Sequence, residues 1–77
     1  MNDIPVFHIN IVYGDDKTKK LFYFVHKDYK TLDLESQKTA FNDAVQELNH
    51  IYSYGRFATV KGVLSLFKDF GFEQTIP

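Results

Sequence analysis

The chain lacks cysteine altogether, and its 77 residues include only four glycines and two prolines. Without cysteine, disulfide bonds and thiolate metal sites are excluded. The missing disulfide framework also disfavours a small secreted scaffold. A chain of this length buries only about 60% of the surface that its unfolded form exposes. Its stability must therefore come from a dense core, from a partner, or from both.

Neither sign of charge is in excess, since nine Lys and Arg oppose ten Asp and Glu for a formal net charge of −1. This balance argues against a nucleic-acid binder that relies on a basic surface, and equally against an acidic mimic of DNA. No apolar run approaches the roughly 18 residues of a membrane span. The first residues also lack the basic and apolar regions of a signal peptide. We expect one α+β domain over residues 1–77, soluble and cytoplasmic, without a membrane partner.

The chain also lacks a motif that would name a reaction. Its glycines are isolated, so there is no phosphate-binding loop, and its serines lack the GxSxG setting of a nucleophile. Asp15 and Asp16 are adjacent in a polar loop, where both carboxylates reach water and gain no useful pKa shift. His8, His26 and His50 lack the spacing of a helical zinc site. We expect no enzymatic activity, no cofactor and no metal.

Aromatic residues are what the chain has in quantity: eight Phe and five Tyr, or 17% of its residues. They supply enough apolar area for a small core. The first of them lie in two segments, Val6 to Tyr13 and Lys20 to His26, which are joined by a polar loop. The alternation of apolar and polar residues in the first segment is typical of a half-buried strand. We predict an antiparallel β-hairpin in which Tyr13 lies opposite Lys20.

The predicted hairpin has apolar residues on both of its faces. In this register Phe7, Ile9 and Ile11 share one face with Phe22, Phe24 and His26, which is the obvious core face. The other face carries His8, Asn10 and Val12 beside Leu21, Tyr23 and Val25. A slip of one residue would exchange the faces of the second strand. Either a partner covers the second face, or the chain's own second helix or tail folds over it.

One long helix is predicted from about Asp33 to Tyr54. Its apolar residues recur at spacings of three and four and form one stripe; they are Ala40, Phe41, Ala44, Val45, Leu48, Ile51 and Tyr52. Gln37 and the charged residues fall mainly on the other side. Thr31 or Asp33 could cap the first turn, and Gly55 could end the helix.

A second, shorter helix is predicted after Thr59, which could cap it, with Gly71 ending it in a left-handed turn. The alternative is a third strand over Phe57 to Lys61, because Gly62 and the β-branched valines weaken a helix. The tail from Glu73 to Pro77 is expected to fray. The predicted order is therefore a hairpin, a long helix and a short helix (ββαα), with a third strand as an alternative.

The favoured function is a non-enzymatic module that binds a larger protein and regulates or inhibits it. Interface centres favour Tyr, Phe and Arg, and the candidate contact residues are His8, Asn10, Val12, Tyr23, Tyr54 and Arg56. Such a module would suit an accessory protein of a phage or another mobile element, by analogy. Self-association through an exposed edge strand, giving a symmetric dimer, is a variant of the same hypothesis.

The alternative function is binding of single-stranded nucleic acid. Aromatic side chains on a small sheet can stack with bases while nearby lysines contact phosphates. The residues for this role would be Lys17, Lys19, Lys20 and Tyr23. The overall charge places this hypothesis below protein binding.

Overall fold

A computed structural model describes residues 4–13, 18–53 and 59–76. The elements in chain order are β1 (Phe7–Tyr13), β2 (Thr18–His26), α1 (Leu34–Ser53), α2 (Val60–Asp69) and β3 (Phe72–Gln74). The strands form one antiparallel sheet in the order β1-β2-β3. This arrangement confirms the predicted α+β class, with a short third strand added after the second helix.

The hairpin register differs by two residues from the predicted one. Tyr13 lies opposite Thr18, rather than opposite Lys20, and Ile9 lies opposite Phe22. Strand β2 therefore starts earlier, and the connection is shorter than expected. Side chains alternate with a period of two, so an even shift leaves each of them on its predicted face. The assignment of the core face was correct although the pairing partners were not.

The core lies between the sheet and both helices, and it is rich in phenylalanine. Phe22 and Phe24 of β2 are 0% exposed, as is Phe67 of α2. The Phe24 and Phe67 rings stack with their centroids 4.4 Å apart. Phe41 of α1 stacks on Phe7 of β1 at 4.9 Å. These contacts place α1 and α2 on the same face of the sheet. Among the described residues, the buried apolar ones are Ile11, Phe22, Phe24, Ala44, Leu48, Val63, Phe67 and Phe72.

Helix α1 begins and packs as its sequence predicts. The Asp33 carboxylate accepts a hydrogen bond from the Ser36 backbone N–H at 3.3 Å and another from the Ser36 hydroxyl at 2.6 Å. The hydrogen bonds from Ser36, first from its side chain and then from its backbone, lower the pKa of Asp33. Of the two proposed caps, Asp33 is thus the one used. Ala44 and Leu48 of the predicted apolar stripe are buried in the core. Gly55, the predicted end of the helix, lies outside the described residues.

Gln37 departs from its predicted place on the polar side of α1, because its side chain is only 1% exposed. Its Nε2 donates to the Leu32 backbone oxygen at 2.7 Å and, more weakly, to that of Tyr29 at 3.4 Å. The amide thus donates to two backbone carbonyl groups of the segment between β2 and α1. Gln37 therefore belongs to the fold and holds that segment against the helix.

Helix α2 confirms the preference for a second helix over a strand at Val60 and Lys61. The Thr59 hydroxyl caps it by accepting from the Gly62 backbone N–H at 3.0 Å. The helix ends at Asp69. The chain then turns at Gly71, whose φ of +93° is a conformation that residues with a Cβ rarely adopt. The Gly71 N–H donates to the Lys68 oxygen at 2.9 Å, as in a left-handed helix end. Phe57 lies outside the described residues.

The third strand lies elsewhere than predicted, in the segment that was expected to fray. Strand β3 pairs antiparallel with β2, so that Phe72 lies opposite His26 and Gln74 opposite Phe24. Beyond the strand, the Thr75 N–H donates to the Tyr23 oxygen at 2.9 Å. The left-handed turn at Gly71 directs Phe72 into the core, 1% exposed, and this anchors the residues that follow. The expectation of a frayed tail was therefore wrong for residues 73–75.

Candidate protein-binding surface

The sheet face opposite the helices carries a mixed apolar and polar set of side chains, which we call the open face. Its members are His8, Asn10, Val12, Lys19, Leu21, Tyr23, Val25 and Glu73. Val12 and Leu21 are each 39% exposed, whereas Phe22 on the other face is 0% exposed. Tyr23 and Val25 are half-buried, and His8 and Asn10 are exposed. Both helices pack on the opposite face, so these side chains remain accessible.

The strand register sets which residues of the open face are neighbours. His8 lies opposite Tyr23, and Asn10 lies opposite Leu21. The rings of His8 and Tyr23 have centroids 6.2 Å apart and are tilted by 46°. Side chains directly opposite each other on antiparallel strands touch and act as one unit. The structure thus brings together four of the predicted contact residues: His8, Asn10, Val12 and Tyr23.

An open groove continues this surface at the end where β3 joins the sheet. Apolar side chains form much of its lining, including Ile4, Val6, Val25 and Ile76, and its volume is about 350 Å³. Ile4 is 50% exposed, Val6 is 43% exposed and Ile76 is 90% exposed. Scattered exposed apolar residues are ordinary, whereas here several of them line one groove beside a partly apolar sheet face.

The second helix and the tail were the two segments that could have folded over the open face, and neither of them does. Helix α2 packs through Phe67 against Phe24, on the other side of the sheet. The tail adds β3 beside β2, extending the sheet sideways. Both segments thus enlarge the fold without burying Leu21 or Val12.

The residues proposed for nucleic-acid binding are not gathered on one surface. Lys19 and Tyr23 share the open face, but four residues of extended strand separate them by about 13 Å. Lys20 lies on the opposite face, where its ammonium group sits 5.4 Å from the centre of the Phe22 ring. Lys17 lies outside the described residues. Of the proposed lysines that the structure describes, only Lys19 therefore shares this face with Tyr23.

Two further candidates, Tyr54 and Arg56, also lie outside the described residues. In contrast, the sequence-based contact set omitted Leu21, Val25 and Val6, which the structure places on or beside the open face. Their spacing was the available signal, because Leu21 and Val25 are in phase with Tyr23 and Val6 is in phase with His8. The contribution of β3 had no such signal in a segment as short and polar as Glu73 to Thr75.

Titratable groups on the described part of the open face are few and spread out. Lys19 and Glu73 lie at opposite ends of it, and His8 lies between them. His26 projects to the core face, where its Nδ1 accepts a hydrogen bond from the Asp28 backbone N–H at 3.0 Å. Among the described residues, no three His, Asp or Glu side chains are grouped to hold a metal ion. The open face thus offers apolar contact and isolated hydrogen-bonding groups.

Comparison of the chain with protein-family models, with curated proteins and with solved structures finds no significant match. Within the described residues, neither helix is both long and apolar enough to cross a membrane.

Proposed function

We propose that this protein is a non-enzymatic binding module whose open face docks onto a larger protein and regulates or inhibits it in the cytoplasm. The observation that carries the proposal is the exposure of Leu21 and Val12, 39% each, on a sheet whose other face buries Phe22 and Phe24 completely beneath the helices. The same short strands supply both faces, so the apolar side chains on the exposed side add little to the core.

The composition of the open face fits a protein partner. Tyr23 and Leu21 lie on the central strand, with His8 and Asn10 opposite them. Charged Lys19 and Glu73 lie towards its ends. Aromatic and apolar groups at the centre with charged groups at the margin are the usual arrangement of a protein–protein interface. The expected partner surface is therefore apolar at its centre and carries little net charge.

The test is a pulldown with the tagged full chain from lysate of its native host, with and without nuclease, read by mass spectrometry. The expected result is one protein recovered in stoichiometric amount under both conditions. A Leu21→Asp variant should lose that protein, whereas Asn42→Asp, an exposed change on α1, should retain it.

Two results would contradict the proposal. If every captured protein disappears after nuclease treatment, nucleic acid is the ligand, and binding should then weaken steeply with salt. If Leu21→Asp is folded and still captures the same protein, the contact surface lies away from the open face.

A further inference from the structure

The two edges of the sheet differ in how well they are protected from pairing with another strand. Strand β3 forms one edge with only three residues, one of them the charged Glu73. Strand β1 forms the other edge with seven residues. From Phe7 to Ile11 it contains no Lys, Arg, Asp, Glu or Pro. Natural sheets usually guard an edge with such residues or with a very short strand. The β1 edge has neither device.

The core is also incomplete along this same edge. Phe22 and Phe24 of the central strand are 0% exposed. Their partners across the hairpin, Ile9 and Phe7, are packed on the core but only half-buried. The helices cover these two side chains only in part. A strand added beside β1, bringing its own helices, would finish their burial.

A second copy of β1 would both pair with the unprotected edge and cover Phe7 and Ile9. A two-fold axis normal to the sheet pairs β1 with its copy in antiparallel fashion and keeps every side chain on its own face. If the axis passes beside Ile9, the two Ile9 side chains meet each other and Phe7 meets Ile11 of the second copy. On the open face, His8 meets Asn10 of the second copy. Apolar residues then oppose apolar ones, polar residues oppose polar ones, and no like charges meet.

We propose that the protein self-associates through the β1 edge, forming a two-fold symmetric dimer with a continuous six-stranded sheet. The paired cores then close over Phe7 and Ile9, and the two open faces form one extended surface. This inference concerns the strand edge rather than the face, so it does not depend on the proposed partner.

The test introduces charged side chains that come to lie opposite each other only when two β1 edges pair. One double variant carries His8→Lys with Asn10→Lys, and the other carries His8→Asp with Asn10→Asp. Both positions are exposed, so each monomer should keep its fold by circular dichroism. Sedimentation equilibrium of the wild type should give twice the 9.0 kDa mass of the chain. Each double variant alone should give the monomer mass, and an equimolar mixture of the two should regain the dimer mass.

The mixture separates loss of pairing from loss of folding, because only folded chains can regain the dimer. Leu21→Asp, on the central strand, should leave the dimer mass unchanged. A wild type that stays monomeric up to about 1 mM would overturn the proposal. Double variants that each remained dimeric alone would also overturn it. So would loss of the dimer in Leu21→Asp, because that result would indicate that the dimer forms by stacking of the open faces.

Discussion

The two faces of the sheet are built from the same strands but meet very different surroundings. On the core face, Phe22 and Phe24 are 0% exposed beneath both helices. On the open face, their sequence neighbour Leu21 is 39% exposed, and Tyr23 between them is half-buried. Hydrophobicity along β2 is therefore a poor guide to the role of each residue. Position relative to the helices decides which apolar side chains hold the fold and which remain available for contact.

The largest expected effect is that of Phe24→Ala on the core face. It removes the ring that stacks on Phe67 at 4.4 Å and leaves a cavity. Such changes cost about 3–5 kcal/mol in unfolding free energy. Because small domains have only about 5–15 kcal/mol in total, the variant should be largely unfolded or melt far lower.

Phe24→Leu is the milder companion and should cost about 1.5 kcal/mol. Urea unfolding followed by circular dichroism measures both variants. A loss below about 1 kcal/mol for Phe24→Ala would show that the core face is not the main support of the fold.

The next effect is expected at Gly71, where the core face meets β3. Gly71→Ala should destabilise the protein by about 2–4 kcal/mol, since left-handed backbone alone costs about 1–2 kcal/mol. The added Cβ would also lie 2.5 Å from the Nε2 of His26, which must then move.

Gly62→Ala in α2 is the matched control. Its Cβ would lie 3.1 Å from the Thr59 hydroxyl oxygen, a contact that offsets the helix propensity gained. The net change should stay within about 1 kcal/mol. Equal losses for the two glycine variants in thermal melts would contradict the role assigned to the Gly71 turn.

Gln37→Glu tests whether a buried polar side chain contributes to the stability of the fold, as the apolar side chains of the core face do. The carboxylate has no N–H to donate to the Leu32 oxygen, so it would leave this carbonyl unpaired and bury a charge. The expected loss is about 2–3 kcal/mol near neutral pH. Gln46→Glu, exposed on the same helix, should change stability by less than about 0.5 kcal/mol. Chemical unfolding that shows no difference between them would indicate that Gln37 is dispensable.

The smallest effect is expected for Leu21→Thr on the open face. Threonine is β-branched and favours a strand, and the substitution removes only apolar surface that is partly exposed. The unfolding free energy should change by less than about 0.5 kcal/mol. A loss above about 1.5 kcal/mol would place Leu21 in the structural core and remove the contrast between the two faces.

The elements whose local patterns agree with their packing were predictable from the sequence. The stripe containing Ala44 and Leu48 predicted α1, and Thr59 with Gly71 predicted both ends of α2. The faces of the hairpin followed from a period of two, but the pairing partners did not, because an even shift preserves that pattern. The sequence pattern therefore predicted the faces of the strands but left their pairing register open.

Strand β3 and the burial of Gln37 depend on contacts distant in sequence, which local patterns do not report. Strand β3 exists because Phe72 enters the core beside His26. Gln37 is buried because the segment between β2 and α1 folds against it. The open face was predictable as an apolar surface. Its accessibility was not, because the sequence did not show that α2 packs on the other face and that residues 72–74 join the sheet as a strand.

Tyr23→Asp, measured for stability and for partner capture in parallel, tests most directly whether the open face serves contact rather than folding. We expect a folded protein, with a loss of at most about 1 kcal/mol in unfolding free energy from the lower strand propensity of aspartate. We also expect loss of the nuclease-resistant protein partner in the pulldown. An unfolded variant would show that Tyr23 is part of the core, and a folded variant that still captures the partner would show that the open face is not the binding surface.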